Sequence, residues 1–197
     1  MFVLYALPIG ILAGYLRGGR LGNLAELRFE WAPLAVAGLA AQIVLFAEPV
    51  AGIVGQAGPP LYVASSLLVL AVVLRNQRLP GLKIVAAGAV ANLVAVLANG
   101  GYMPADPAAL AFAGLDPTAG YSNSIVTNRA ALGPLTDIFA LPAWMPLANV
   151  FSIGDVVIGA GIVVAIAAGM ARRSGDDGAR SAMPKGPTPV PGGPSPD

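Results

Sequence analysis

Side chains able to do chemistry in water gather in one stretch of the chain, around residues 99–155: Asn99, Tyr102, Arg129, Asp137, Asn149 and Asp155. Two carboxylates can hold a cation or act as an acid and a base. A lone guanidinium can hold an anion or pair with one of them, and amides and a phenol can orient a small polar ligand. The sequence nominates these six as candidate ligand-binding residues. It nominates no catalytic residue, no metal ligand and no cofactor. The chain has no cysteine and no histidine. That excludes disulfides, thiol nucleophiles, imidazole bases and the usual nitrogen and sulfur ligands of zinc or haem. No glycine-rich nucleotide loop and no paired-acid metal motif is present, so an enzyme using Asp137 and Asp155 as acid and base ranks last among the readings.

Asp155 poses the sharpest question, because it stands at the mouth of the apolar run VVIGAGIVVAIAAGMA. Ser152-x-x-Asp155 matches a capping box, in which the serine caps the third amide and the acid reaches back to the serine amide. Negative charge also suits a helix N-terminus. The sharper reading pairs Asp155 with Arg129 as half of a buried or substrate-binding ion pair. Capping leads, since it assumes nothing about the loop, and the two are compatible.

Composition sets the environment of these residues. Hydrophobic residues make up 56% of the 197 and charged ones only 11%, too little polar surface for a soluble domain of this length. A net charge of +1 and no basic stripe with interleaved aromatics give no reason to expect nucleic acid. Two lysines beside nine arginines, with abundant Ala, Gly and Pro, fit a GC-rich bacterial genome.

Five apolar stretches read as membrane spans, at about 2–16, 31–47, 59–75, 82–98 and 150–171. A span takes roughly 20 apolar residues, which the fifth meets alone and the first, carrying Pro8, meets least well. Arg17, Arg20 and Arg28 lie between the first two spans, and Arg75, Arg78 and Lys83 between the third and fourth. Arg172, Arg173, Arg180 and Lys185 follow the fifth, leaving only Arg129 on the other side. Basic residues mark the cytoplasmic face. The expected fold is therefore an all-α membrane protein, a bundle of five transmembrane helices in the bacterial inner (plasma) membrane. Its N-terminus is expected outside, its C-terminus inside, and a long structured extracytoplasmic loop between helices four and five. Nothing basic precedes the first run and no cleavage site follows it, so no removed signal peptide is expected. The transmembrane domain is expected over 1–173, followed by a Gly-, Pro- and Ser-rich cytoplasmic tail over 174–197 that is expected to be disordered.

Local signals fill in the frame. Ala6, Gly10, Gly14, Gly18 and Gly22 recur every fourth residue, a stripe that lets another helix approach closely. Packing within the monomer is favoured over a homodimer seam. Gly161, Ala165 and Gly169 repeat the pattern in the fifth span. Gln42, Ser65, Ser66 and Asn92 are polar side chains inside spans and read as interhelical hydrogen bonds rather than a polar pathway. Leu21, Leu24 and Arg28 have the spacing of a short amphipathic helix lying on the membrane, with Trp31 at the interface. Asn99-Gly100-Gly101 reads as a left-handed helix end, and Asp106-Pro107 as the cap and first position of a short helix ending near Gly114. The apolar content of 99–149 argues that the loop folds back over the end of the bundle.

The stretches "GGRL" (18–21), Gln42, "NGGYMP" (99–104) and "NVFSIGD" (149–155) resemble a family of small bacterial integral membrane proteins known only as a domain of unknown function. The resemblance covers about 1–173 and implies a multi-span bacterial protein, with no activity attached. The leading functional expectation is a membrane protein of structural, accessory or binding type, with a polar site on its extracytoplasmic face. The alternative is a small transporter or ligand-binding permease for a small polar or lipid-like molecule. The lipid bilayer is the expected partner, with a second membrane protein or a second copy of the chain also admitted.

Overall fold

Every long apolar run forms a helix, since a chain without polar side chains can satisfy its backbone only internally. The computed structural model describes residues 2–45, 47, 50–116, 124–127 and 129–171. The tail expected over 174–197 lies outside the described residues. A 3-10 turn (Phe2–Tyr5) leads into α1 (Ala6–Leu16), and another (Leu21–Glu26) precedes α2 (Ala32–Leu45). Then come α3 (Val50–Val54), α4 (Gly58–Arg75), α5 (Leu82–Ala98) and, in the long loop, the short α6 (Pro107–Phe112). The last described helix is α7 (Ile153–Met170). Among the described residues the protein is thus mostly helical, with two helical stretches, Gly55–Arg75 and Ile153–Met170, long and apolar enough to cross a membrane. The other three apolar helices are shorter, Phe2–Leu16, Ala32–Leu45 and Leu82–Ala98.

The helices pack side by side in the order α1-α7-α5-α4-α2. The expected bundle is therefore an open row among the described residues, for α1 and α2 at its two ends share no extensive contact. Small residues draw its tightest seams. A Cβ added at Gly10 would lie 2.9 Å from Ile166 Cβ, and one at Gly14 would lie 2.4 Å from the Met170 sulfur. The first half of the small-residue stripe is therefore a contact between α1 and α7 within one chain, while a Cβ at Gly18 or Gly22 would meet nothing within 4 Å. On its other side α7 meets α5 as closely: a Cβ at Gly88 would be 2.5 Å from the Gly154 carbonyl oxygen, and one at Gly161 would be 2.7 Å from the Val85 amide. One core cluster (Leu70, Val73, Leu82, Val85, Ala86) joins α4 and α5 and receives Ile158 and Ile162 of α7. A second, at the loop end, gathers Ala95, Val96 and Met103 with Tyr62, Val63 and Leu135.

The segment expected as a surface amphipathic helix is instead the 3-10 turn Leu21–Glu26, docked on the end of α7. The Arg20 amide donates to the Met170 carbonyl at 2.8 Å, the Asn23 side chain to the same oxygen at 3.0 Å, and Leu24 and Leu27 lie against the Gly169 position. Helix α7 leaves its last carbonyls unpaired, and these donors satisfy them. Gly18, Gly19 and Gly22 weaken any competing α-helix.

The described part of the 99–149 loop is structured and built on two short pairings. Strand β1 (Met103–Ala105) runs parallel to β2 (Ser124–Val126), and β3 (Phe139–Ala140) pairs antiparallel with β4 (Val150–Phe151). Phe151 stacks on Phe139 and Phe2, with ring centres 5.7 and 4.2 Å away, and the Tyr5 hydroxyl donates to the Pro146 carbonyl. The loop is thereby fixed onto the end of the helical row where α1 and α7 begin.

Candidate functional site

The two loop-edge motifs fold as local caps before they do anything else. At "NGGYMP" the Asn99 side chain donates to the Ala95 carbonyl at 2.8 Å and the Ala131 carbonyl at 2.9 Å, and it accepts from the Ala131 amide at 2.9 Å. Gly100 and Gly101 take φ of +73° and +92°, and the Gly101 amide returns to the Val96 carbonyl at 2.9 Å, a left-handed helix end. Tyr102 is half-buried, Pro104 is fully buried, and the Pro104 carbonyl accepts from the Asp137 amide at 3.0 Å. Downstream, Asp106 caps α6 through the Ala108 and Ala109 amides.

"NVFSIGD" is built the same way. The Asn149 side chain accepts from the Val150 amide at 2.9 Å, and its carbonyl accepts from the Leu141 amide, steadying β4. Ser152 is fully buried and takes the Asp155 amide at 3.0 Å, while the Ser152 amide donates to Asp155 Oδ2 at 3.1 Å. The capping box is complete. A third partner comes from α5: Asn92 donates to Asp155 Oδ1 at 2.8 Å and accepts from the Ser152 hydroxyl at 2.7 Å. One amide thus closes both ends of the box. Gly154 makes room for it, because a Cβ there would lie 1.9 Å from Asn92 Oδ1.

Arg129 takes no part in this network. Its side chain is exposed, its amide donates to the Thr127 hydroxyl at 3.1 Å, and the one ion pair among the described residues is Arg75–Glu30 at 2.7 Å. Asp155 therefore caps its helix and pairs with an amide on α5 rather than with the guanidinium. Asp155→Asn should cost about 1.5–3 kcal/mol, because a carboxamide cannot accept from both Asn92 and the Ser152 amide. Arg129→Gln should add to that loss independently, to within about 0.5 kcal/mol in a double-mutant cycle read by thermal unfolding in detergent. A coupling above about 3 kcal/mol would instead restore the buried ion pair.

Asp137 is the unusual group. Its backbone is held on both sides, the amide to Pro104 and the carbonyl accepting from the Asp106 amide at 3.0 Å. Its Oδ1 is buried, and among the described residues it is the one buried side-chain polar atom without a hydrogen-bond partner. Burial pushes the Asp137 carboxyl up to about 7; the negative Asp155 adds to the shift, and the chain's positive amino terminus opposes it. Tyr62 of α4 lies in the field of both carboxylates and bonds Ser66, whose hydroxyl accepts from Gln42 of α2 at 3.2 Å. Polar groups from α2, α4, α5, α7 and the loop thus converge at one end of the row.

Of the six residues nominated from sequence, Asp137 lies in the field of Asp155, Asn99 and Asn149 hold backbone in place, Tyr102 is half-buried, and Arg129 is exposed. Tyr62 escaped sequence reasoning; its signal was a phenol one helical turn before Ser66. Asn92 was read as packing glue, and its partners on α7 lie about sixty residues away. Two carboxylates and a phenol can hold a proton or a cationic group. Among the described residues no three His, Cys, Asp or Glu side chains are grouped to hold a metal ion.

No curated protein and no solved structure matches this chain. Residues 26–167, which include both loop-edge motifs, match a family described as "Family of unknown function (DUF5317)". That match spans well over half of the 197 residues, and the chain belongs to the DUF5317 family of unknown function.

Proposed function

We propose that the protein is an integral membrane protein of the bacterial inner membrane, threaded by five helices, and that it acts as a binding or accessory protein through the polar site at its loop end. The observation that carries this reading is what the helices leave uncovered. Leu12, Val36, Ile43 and Leu97 are 60%, 65%, 63% and 56% exposed, and only 11% of the apolar window of α4 is buried. A row of helices in water would turn these side chains inward, whereas lipid tails cover them at no cost. At about 1.5 Å per residue, the three shorter helices reach roughly 21–26 Å, a mismatch that local thinning of the bilayer absorbs.

The ends fit the same threading. Arg17, Arg20, Arg28, Arg75, Arg78 and Lys83 flank the helices at the end away from the loop, which supports a cytoplasmic position for that end. Trp31 there lies 5.8 Å from the Arg75 guanidinium, and Trp144 in the loop is exposed, as residues of the two interfacial belts would be. The N-terminus and the 99–149 loop are then extracytoplasmic.

Binding or accessory action is preferred to a permease because the open groove beside α4 and α5 is apolar, with neither Gln42 nor Asn92 in its lining. Asp155 also spends both oxygens on Asn92 and Ser152, which removes it as a free catalytic base. Single cysteines placed at Arg78 and Ala131 of this cysteine-free chain test the threading with a membrane-impermeant thiol reagent on intact cells. The expected result is labelling at 131 and protection at 78 until the membrane is permeabilised. The reverse pattern, or a chain recovered from the soluble fraction, overturns the reading.

A further inference from the structure

An open groove of about 420 Å³ runs along the loop end of α4 and the end of α5, lined by Pro59, Val63, Ala64 and Leu67 on one side and by Leu97 and Gly100 on the other. Its volume lies within the range of small-molecule sites, roughly 300–1,000 Å³, yet no side chain in its lining can hydrogen-bond a polar ligand. Pro59 to Leu67 spans about 12 Å of helix, against about 15 Å for one leaflet of a bilayer core. An extended hydrocarbon chain lying along the helices would suit that length and that lining. The groove is continuous with Leu61, Leu67 and Leu97, all exposed on the surface that the membrane reading gives to lipid.

One cation lies close to the groove's loop end along the chain. Asn99 holds the Ala131 backbone through two hydrogen bonds at the end of α5, next to Gly100 and Gly101 in the groove lining. Arg129 is two residues from that clamp, about 7 Å along the chain, and its side chain is exposed. It is also the only basic residue between Lys83 and Arg172. A guanidinium on the segment that Asn99 holds beside this apolar groove has the charge to complement a phosphate-bearing headgroup.

From this juxtaposition we infer that the groove binds an anionic phospholipid of the outer leaflet, with one acyl chain against α4 and α5 and the phosphate at Arg129. The inference rests on the membrane reading above and adds to it a defined lipid site. Ala64 is exposed in the groove, so Ala64→Phe fills the site without entering the core.

Native mass spectrometry of the full chain in detergent, titrated with phosphatidylglycerol or phosphatidylcholine, reads the site directly. The wild-type protein should retain one phosphatidylglycerol with about a fivefold preference over phosphatidylcholine, the expected scale for one cationic contact. Ala64→Phe should lose the retained lipid of either kind, and Arg129→Gln should keep the lipid and lose the preference. A photoactivatable acyl chain on phosphatidylglycerol should crosslink within 59–67 and 97–101 of the wild-type chain, a readout that needs no variant. Retention unchanged in Ala64→Phe, a preference unchanged in Arg129→Gln, or crosslinks elsewhere each overturn the inference. Flotation of the chain with vesicles keeps that failure apart from failure of the membrane reading, which loses its support if the chain does not float.

Discussion

Gly154→Ala is expected to destabilise the protein by about 3–5 kcal/mol, combining the overpacking of a close helix contact with hydrogen bonds to a charged group that can no longer form. The added methyl would sit 1.9 Å from Asn92 Oδ1 and 2.9 Å from the Gly88 carbonyl oxygen. Asn92 cannot swing aside, because Asp155 and Ser152 hold its two ends at 2.8 and 2.7 Å. Helices α5 and α7 must therefore separate, and the α7 cap loses its third partner. In an Asn92→Ala background the same substitution should cost markedly less, since the nearest obstacle is gone and only the Gly88 contact remains. Thermal unfolding of the four proteins in one detergent measures the coupling. Strict additivity would show that Asn92 does not set the spacing of the two helices.

This cluster also shows where sequence reasoning reaches and where it stops. The caps were legible because their chemistry is local: Ser152 and Asp155 are three residues apart, Asp106 adjoins Pro107, and Asn99 adjoins two glycines. The two close seams of α7 were half legible, since Gly10 and Gly14 mark a face without naming the helix that occupies it. The row itself was hidden. Helices apolar all round carry no stripe that distinguishes a neighbour from lipid, so a closed bundle and an open row are written alike. Charge sign suggested Arg129 as the partner of Asp155, while the actual partner on α5 is a neutral amide whose long-range pairing leaves no mark in composition or spacing. The 3-10 turn at Leu21–Glu26 was missed for a related reason: its register is set by the unpaired carbonyls at the end of α7, about 150 residues away.

The Asp137 carboxyl is held against its own interest, and that identifies it as the best candidate for the binding group of the site. Structural carboxylates near it, Asp106 and Asp155, are each satisfied by backbone amides or by Asn92. Asp137 has its backbone anchored at both the amide and the carbonyl, yet its Oδ1 is buried without a donor. Local structure therefore does not need the charge, since an asparagine or serine would permit the same backbone pairing. Groups that lower stability persist where binding or proton exchange uses them.

The largest pH effect among the described groups should follow from this. Asp137 titrates near 7 in the folded protein against an ordinary value of 3.8, so the folded state holds a proton that the unfolded chain releases. Stability contributed by the protonated form is fully present below about pH 4 and falls as pH rises through 7, then levels off, with a total loss of about 4 kcal/mol. Asp137→Asn should flatten that slope. At pH 8 it should be more stable than the wild-type protein by about 1–3 kcal/mol, the relieved charge less the cost of a poorly paired amide. At pH 4 the advantage should vanish or reverse. Melting curves in detergent from pH 4 to 8 measure both. A variant less stable than wild type at pH 8 would show that the Asp137 carboxylate has a stabilising partner in the folded protein. A bound cationic group would be such a partner, and an amine or metal cation that stabilises the wild-type protein at pH 8 but not Asp137→Asn would identify its chemistry.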